Sequence, residues 1–129
     1  MKKFIPLFLA CLPLAAQADP VRNIRSRTDF CQHMLQGGAF NRYLETTCGF
    51  REGVAAKAEK AMAVECRGVF DQKKAAALSK EAVNDGVMRF KRYGKKNFCA
   101  ANLEGYITAG AIMDEVLRAQ QSGKRLEMP

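Results

Sequence analysis

The cysteines are the residues of this 129-residue sequence whose type and spacing could do chemistry most directly. Four of the five lie beyond the N-terminal region, and the nearest two of these four are 17 residues apart. Redox enzymes prefer a C-x-x-C pair, which is absent from the sequence. An even number of cysteines in an exported chain instead predicts two disulfide bonds. They involve the following residues: Cys31, Cys48, Cys66 and Cys99.

Other groups that could catalyse a reaction are few. His33 is the single histidine, and no second histidine or carboxylate pair accompanies it to complete a zinc site. Glu45 and Glu52 are seven residues apart on one predicted helix face, where paired carboxylates could cleave a glycoside or bind a cation. Neighbouring Arg51 and Lys57 favour a solvated ion-pair face instead. We therefore expect no enzyme, no metal and no cofactor.

Basic residues crowd one short segment. Five of the eight residues at positions 89–96 are cations: Arg89, Lys91, Arg92, Lys95 and Lys96. Phe90 and Tyr93 lie between these cations, and in a cytosolic protein this pattern would indicate nucleic-acid binding. In an exported protein the comparable anions are lipid headgroups, cell-wall polymers and acidic protein surfaces. The alternative is a solvated helix end, where cations favour the helix dipole by about 0.3–1 kcal/mol.

Residues 1–18 have the pattern of a signal peptide. Lys2 and Lys3 precede an apolar stretch at 4–14 that is too short to span a bilayer, and Ala16-Gln17-Ala18 forms a small-x-small cleavage pattern. Cys11 superficially resembles a lipid-attachment site, but the Ala-Gln-Ala site is favoured. The sequence predicts a periplasmic protein with no nucleic-acid partner and no stable membrane insertion. Cleavage removes two of the 21 basic residues and none of the 13 acidic ones, so the mature net charge is +6.

The mature chain is predicted to form one helical domain at residues 19–122, followed by a disordered tail at 123–129. Apolar periodicity predicts an all-α fold, a small four- to five-helix bundle stapled by two disulfides. The first helix starts near 19–20 or 28–29 and ends at Gly37-Gly38, and the second runs from 39 to 66. The third follows an N-cap at Asp71 and ends at Gly94, with Ala76, Val83, Val87 and Phe90 on its inward face. The fourth spans 97–123, with Cys99, Leu103, Tyr106, Gly110, Met113 and Leu117 facing inward.

The segment between Cys48 and Cys66 constrains this bundle. In one straight helix their Cα atoms would be about 27 Å apart, and a disulfide needs them within about 7 Å, so each requires another partner. A plain up-down-up-down bundle brings Cys48 near Cys31 and Cys99 but leaves Cys66 at the far end. Gly49 and Gly53 are therefore predicted to mark a bend, or a close helix crossing. Two pairings stay open: Cys31–Cys66 with Cys48–Cys99, and Cys31–Cys48 with Cys66–Cys99.

The same segment carries a family resemblance. Cys48-Gly49-Phe50-Arg51-Glu52-Gly53-Val54, followed by Cys66, resembles the Cys-x-Gly-Tyr-x-x-Gly-Val region of small helical periplasmic immunity proteins. Asn97-Phe98-Cys99 resembles the cysteine ending of that family's last helix. These proteins protect bacteria against cell-wall amidases delivered by type VI secretion. The resemblance implies inhibition by occlusion, with an exposed helix or loop plugging a catalytic groove, often from a homodimer.

The sequence thus predicts an exported helical protein that acts by binding a protein partner, as an immunity or inhibitor protein against a cell-wall hydrolase. One alternative is a periplasmic stress or chaperone-like protein that exposes apolar surface when conditions change. Another is a binder of anionic envelope components through the basic residues at 89–96.

Overall fold

The computed structural model describes residues 24–128, so the predicted signal peptide, its predicted cleavage site and the predicted helix start at 19–20 lie outside the described residues. The described chain is all-α, with three helices: α1 (Arg27–Cys48), α2 (Val54–Glu65) and α3 (Gln72–Gln121). No strand occurs between residues 24 and 128. The all-α class is confirmed, whereas the predicted count of four to five helices is not.

The first helix is longer than its sequence predicted. Ser26 caps it by accepting a hydrogen bond from the Asp29 backbone N–H at 3.1 Å. The predicted end at Gly37-Gly38 is wrong, because α1 continues through both glycines to Cys48. A Cβ atom on Gly38 would lie 3.3 Å from the Cβ of Ala58 in α2. Gly38 therefore permits a close approach of two helices and does not end one.

A non-helical turn lies between Gly49 and Gly53, where the sequence left open a bend or a close helix crossing. Both glycines have left-handed backbones, with φ of 74° and 65°, and they enclose the non-helical link between α1 and α2. Because L-residues with a side chain rarely adopt this conformation, glycine is the favoured residue at both positions. The chain reverses here, and α2 runs antiparallel along α1, so that Cys66 returns to the level of Cys31.

The third helix contains a sharp kink. Asp71 caps it as predicted, accepting from the Lys74 N–H at 2.7 Å. Gly94 has non-helical angles, φ 80° and ψ 160°, and divides α3 into a first arm (72–93) and a second arm (95–121). The predicted third helix corresponds to the first arm. The predicted fourth helix belongs to the second arm, which starts directly after Gly94 instead of at Asn97.

The second helix and the two arms of α3 pack around α1. The first arm lies parallel to α1, with Leu78 near Gln36, and Gly86 lies so close to Phe40 and Tyr43 that a Cβ atom there would be 3.1 Å from each ring. The second arm runs antiparallel to α1.

The buried residues of the second arm divide between two core clusters, which lie at opposite ends of α1. One consists of Phe30, Cys31, Met34, Ala58, Ala61, Met113 and Val116. The other consists of Leu44, Val54, Phe98 and Tyr106.

Two predicted inward faces need correction. Leu103 was expected in the core but is 43% exposed, because the buried face of the second arm turns toward Phe98, Tyr106 and Val116. Ala76 was expected inward on the first arm and is exposed, whereas Leu78 and Gly86 are buried. In both cases the apolar spacing predicted the helix correctly. Which side of the helix is buried depends on where the neighbouring helices lie.

The disulfides join Cys31 to Cys66 and Cys48 to Cys99, each with a Cα separation of 5.6 Å. This is the first of the two pairings that the sequence left open. Cys66 would have no cysteine within disulfide distance only if residues 39–66 were one helix. Because α1 ends at Cys48 and α2 returns antiparallel, one disulfide fastens each end of α1.

Glu65, at the end of α2, is fully buried, which the sequence did not predict. Arg27 Nη1 donates to its Oε1 at 2.8 Å and Gln120 Nε2 to its Oε2 at 3.2 Å. Arg125 lies 3.7 Å from Oε1. Burial alone would raise the pKa of Glu65, but these hydrogen bonds and cations outweigh it and hold the pKa below its ordinary value.

Residues 124–128, in the segment predicted to be a disordered tail, contact this network. Arg27 Nη2 donates to the Leu126 carbonyl at 2.9 Å, and Arg125 Nη2 donates to the Val64 carbonyl at 3.3 Å. Leu126 and Met128 pack against the core cluster that contains Phe30. The start of α1 and the ends of α2 and α3 thus meet at one buried carboxylate.

Candidate protein-binding site

The link between α1 and α2, residues 49–53, is a short non-helical loop at the surface. Arg51 and Glu52 are exposed at its tip, whereas Phe50 and Gly53 are half-buried. The left-handed glycines fix both ends of the loop. The disulfide between Cys48 and Cys99 holds its first end to the second arm of α3. The loop therefore presents two opposite charges on a short, constrained backbone.

Tyr106 fixes the centre of this loop. Its hydroxyl accepts a hydrogen bond from the Glu52 backbone N–H at 2.9 Å and donates to Glu45 Oε2 at 2.7 Å. Its ring packs against Phe50, with the centroids 4.9 Å apart. Burial and the hydrogen bond to Glu45 raise the pKa of Tyr106, so the hydroxyl stays protonated and can donate. One side chain thus connects α1, the loop and α3.

The basic residues at 89–96 surround the kink at Gly94, and all five predicted cations are exposed. Arg89 is paired with Asp85 at 2.8 Å and lies 5.0 Å from the centre of the Phe40 ring. The other four make no ion pair within residues 24–128: Lys91, Arg92, Lys95 and Lys96. These four side chains therefore form a group of exposed positive charges.

The aromatic residues of this segment separate into two groups. Phe90 packs edge-on against Phe98 with centroids 5.6 Å apart, so both belong to the core, and the predicted inward position of Phe90 agrees with this. Tyr93 is half exposed and lies beside the cations. The surface therefore offers one aromatic ring, not a row of stacking rings such as single-stranded nucleic acids favour.

The loop and the cations lie at the same end of the molecule. Arg51 follows Cys48 by three residues, and Lys96 precedes Cys99 by three residues on a helix. Since the Cα atoms of these cysteines are 5.6 Å apart, the backbone positions of Arg51 and Lys96 lie within roughly 20 Å of each other. We call residues 49–53 and 89–96 together the basic end.

The structure also places the remaining candidate residues, Glu45, Glu52 and His33. Glu45 and Glu52 do not share a helix face, because α1 ends at Cys48; the Glu52 backbone and the Glu45 carboxylate meet at Tyr106 instead. His33 is exposed on α1. Within residues 24–128 no group of three histidine, cysteine or acidic residues is placed to hold a metal ion.

Sequence reasoning placed Tyr106 in the core but missed its hydrogen bonds. The available signal was a tyrosine in an otherwise apolar row, since a buried tyrosine usually needs a partner for its hydroxyl. Nothing in the sequence identified Glu45 as that partner, because it lies 61 positions away.

Comparisons with known proteins found no match: no family model, curated protein or solved structure is similar to the chain. Among the described helices, none combines the length and the apolar character needed to cross a membrane.

Proposed function

We propose that this chain is an exported, non-catalytic protein that binds another protein in the periplasm through its basic end. The observation that carries this proposal is the constrained loop at 49–53. Its glycines, the Cys48–Cys99 disulfide and the Tyr106 hydroxyl hold it in one conformation while Arg51 and Glu52 stay exposed. A preorganised loop loses little conformational entropy on binding, which favours affinity. The disulfides also support export, because such bonds persist in oxidising compartments.

The more specific proposal is an immunity or inhibitor protein against a cell-wall hydrolase. The resemblance to periplasmic immunity proteins rests on the residues that form this loop, from Cys48 to Val54. Inhibition by occlusion needs an exposed, rigid segment, and the loop has both properties. The neighbouring cations would pair with acidic residues around the catalytic groove of the hydrolase.

Charge reversal at the loop tip tests this proposal. Arg51→Glu should weaken binding of a cell-wall hydrolase captured from periplasmic extract by at least tenfold and should relieve inhibition of peptidoglycan cleavage. Arg67→Glu is the matched control, since Arg67 is also exposed but lies at the opposite end, beside Cys66. Equal inhibition by both variants, or a captured hydrolase that stays fully active, would contradict the proposal.

A second variant separates loop rigidity from loop charge. Tyr106→Phe keeps Arg51 and Glu52 but removes the hydroxyl that accepts from the Glu52 N–H. We expect faster amide hydrogen exchange across 49–53 and weaker inhibition. Tyr43→Phe is the control, because no hydrogen bond of the Tyr43 hydroxyl links it to another residue within 24–128. Unchanged exchange in Tyr106→Phe would show that the loop is held by other contacts.

A second candidate function is binding of anionic envelope components. It is supported by the four cations that lack an acidic partner in the described chain: Lys91, Arg92, Lys95 and Lys96. Binding to cell-wall polymers or anionic vesicles should fall steeply as salt rises, because exposed charges are screened over about 10 Å at 0.1 M salt. Salt-insensitive binding would exclude this function.

The stress or chaperone-like role has a weaker basis in exposed apolar side chains of α3, namely Met88, Leu103 and Ile107. It requires additional apolar surface to appear when conditions change. Binding of a hydrophobic dye on acidification measures this, and a dye-silent protein at low pH would argue against the role.

A further inference from the structure

One face of the second arm of α3 is apolar and exposed. Leu103 and Ile107 are 43% and 54% exposed, and Ala100 and Ala111 on the same face are exposed as well. Spacings of three and four residues keep these four side chains in one row along the helix. Single apolar side chains are common on protein surfaces, whereas a contiguous exposed row is typical of an interaction surface.

The packing of the described chain does not use this row. The second arm buries a different set of residues against α1 and α2, namely Phe98, Tyr106, Met113 and Val116. Ile107 directly follows Tyr106 and therefore points about 100° away from it around the helix axis. The row thus lies beside the buried face, and no other segment within residues 24–128 covers it.

Opposite charges lie at the two ends of the row. Lys96 precedes Ala100 by four residues, and Asp114 follows Ala111 by three, so both continue the helical spacing. Lys96 is exposed and makes no ion pair within residues 24–128. Asp114 pairs with Lys57 at 3.0 Å, yet its side chain is 50% exposed. We call the following six residues the exposed row, which is about 27 Å long: Lys96, Ala100, Leu103, Ile107, Ala111 and Asp114.

We propose that the exposed row binds the same row of a second copy of this chain, with the two helices antiparallel and a two-fold axis at the level of Gly105. This axis places each residue before position 105 opposite the residue equally far after it. Leu103 then contacts Ile107 of the second copy, and Lys96 pairs with Asp114 of the second copy. Because a two-fold contact uses one surface twice, each of these pairs forms twice.

The sizes of the side chains fit this register. Bulky Leu103 and Ile107 lie at the centre, where they exclude water from the contact. Ala100 lies opposite Gly110 and Ala111 of the second copy, and such small residues let two helices approach closely. The ion pairs close both ends at the rim, where charged residues belong in a protein interface.

Other arrangements of two helices lose the charge pairing. A parallel pair places Lys96 opposite Lys96 and Asp114 opposite Asp114 of the second copy. An antiparallel pair centred at Ile107 keeps the apolar residues together but places Lys96 opposite Arg118. Like charges directly opposite each other disfavour both arrangements. Charge complementarity therefore selects a second copy, antiparallel and in the register centred at Gly105.

The dimer leaves the cations at the kink accessible. Because the two arms are antiparallel, the two Gly94 kinks lie at opposite ends of the contact. Lys91, Arg92 and Lys95 precede the exposed row and stay outside it. The dimer therefore does not depend on the function proposed for the basic end. The family resemblance implies only that a homodimer forms, whereas the surface, the helix direction and the register come from the second arm.

Sedimentation velocity of the mature chain at about 1–100 μM tests whether this dimer forms. Ile107→Lys places a cation from each copy at the centre of the contact and should weaken dimerisation by at least about tenfold. Ile107 is exposed, so the helix content measured by circular dichroism should match that of the wild type. Met88→Lys is the matched control, since Met88 is a 66% exposed apolar residue of the first arm, and this variant should dimerise like the wild type.

Exchange of the end charges tests the register. Lys96→Asp places two carboxylates opposite each other at both ends, and Asp114→Lys does the same with two cations. Each single variant should weaken dimerisation by about fivefold or more. The double variant Lys96→Asp/Asp114→Lys restores opposite charges and should dimerise within about twofold of the wild type, because the two substitutions are coupled across the contact.

Several outcomes would overturn the proposal. The wild type stays monomeric over the whole concentration range. Ile107→Lys leaves a dimer intact, or Met88→Lys dissociates it, which would place the contact on another surface. The double charge variant dimerises no better than the single variants, which would exclude the antiparallel register centred at Gly105.

Discussion

Glu65 shows how one residue can connect distant parts of the chain. A fully buried carboxylate is tolerated only when it is paired and hydrogen-bonded. Here Arg27, Gln120 and Arg125 come from α1, α3 and the segment after α3. The charged form of Glu65 is therefore part of the folded state, and stability should depend on its ionisation.

The free energy of unfolding should decrease in acid because Glu65 becomes protonated. The pKa of Glu65 is lower in the folded than in the unfolded chain, so its contribution is complete above about pH 5 and is lost as pH falls through the folded pKa. Glu65→Gln should lower the free energy of unfolding at pH 7 by about 1.5–3 kcal/mol, the usual loss for hydrogen bonds to a charged group. The difference between wild type and variant should shrink at pH 3, measured by urea unfolding.

Glu59→Gln is the control for this measurement. Glu59 pairs with Arg42, but both side chains are exposed, and such pairs contribute about 0–1 kcal/mol. A Glu65→Gln variant that tracks the wild type at both pH values would show that the buried ion pair adds no net stability.

At the scale of elements, the glycines determine how the helices meet. Gly49, Gly53 and Gly94 allow backbone angles that turn the chain, whereas Gly38, Gly86 and Gly110 allow helices to approach closely. Sequence alone did not separate these roles: Gly49 and Gly53 fitted either a bend or a close helix crossing, and Gly38 was predicted to end a helix. The distinction depends on whether another helix faces the missing side chain.

Adjacent glycines of α1 should therefore respond oppositely to substitution. Gly38→Leu must displace Ala58 and should destabilise the protein by about 1–3 kcal/mol, the usual effect of overpacking. Gly37→Ala enters open space and should stabilise it by about 0.5–1 kcal/mol through helix propensity. Chemical denaturation of both variants measures the difference, and destabilisation by Gly37→Ala would show that the space beside Gly37 tolerates no added methyl group.

At the scale of the whole molecule, the disulfides hold opposite ends of one helical unit. Cys31–Cys66 lies beside the Glu65 network, and Cys48–Cys99 lies beside the loop at 49–53. They enclose 35 and 51 positions of sequence, so loop-closure entropy assigns each about 4 kcal/mol. Their effects on stability should be similar, but their effects on the proposed binding site should differ.

Paired replacement of cysteines by alanine tests this difference. Loss of either disulfide should lower the free energy of unfolding by about 2–5 kcal/mol. Only the Cys48→Ala/Cys99→Ala protein should also show faster hydrogen exchange at 49–53 and weaker inhibition of a captured hydrolase. If the Cys31→Ala/Cys66→Ala protein lost inhibition to the same degree while still folded, the binding surface would lie elsewhere.

The sequence by itself determined the features that depend on local chemistry. Apolar periodicity predicted the all-α class and cap preferences predicted Asp71, because both depend on neighbours within a few positions. The even cysteine count predicted two disulfides, and the need of Cys66 for a partner predicted the bend at Gly49 to Gly53. The predicted export and the immunity role also come from the sequence and stay predictions.

Only the tertiary structure decided what depends on distant residues. It chose between two cysteine pairings, carried α1 through Gly37-Gly38, exposed Leu103 and buried Glu65. It also connected Tyr106 to Glu45 and left open space beside Gly37. The physical reason is the same in each case: burial and pairing are set by which helix faces a residue, and residues 35 to 61 positions apart supply those contacts.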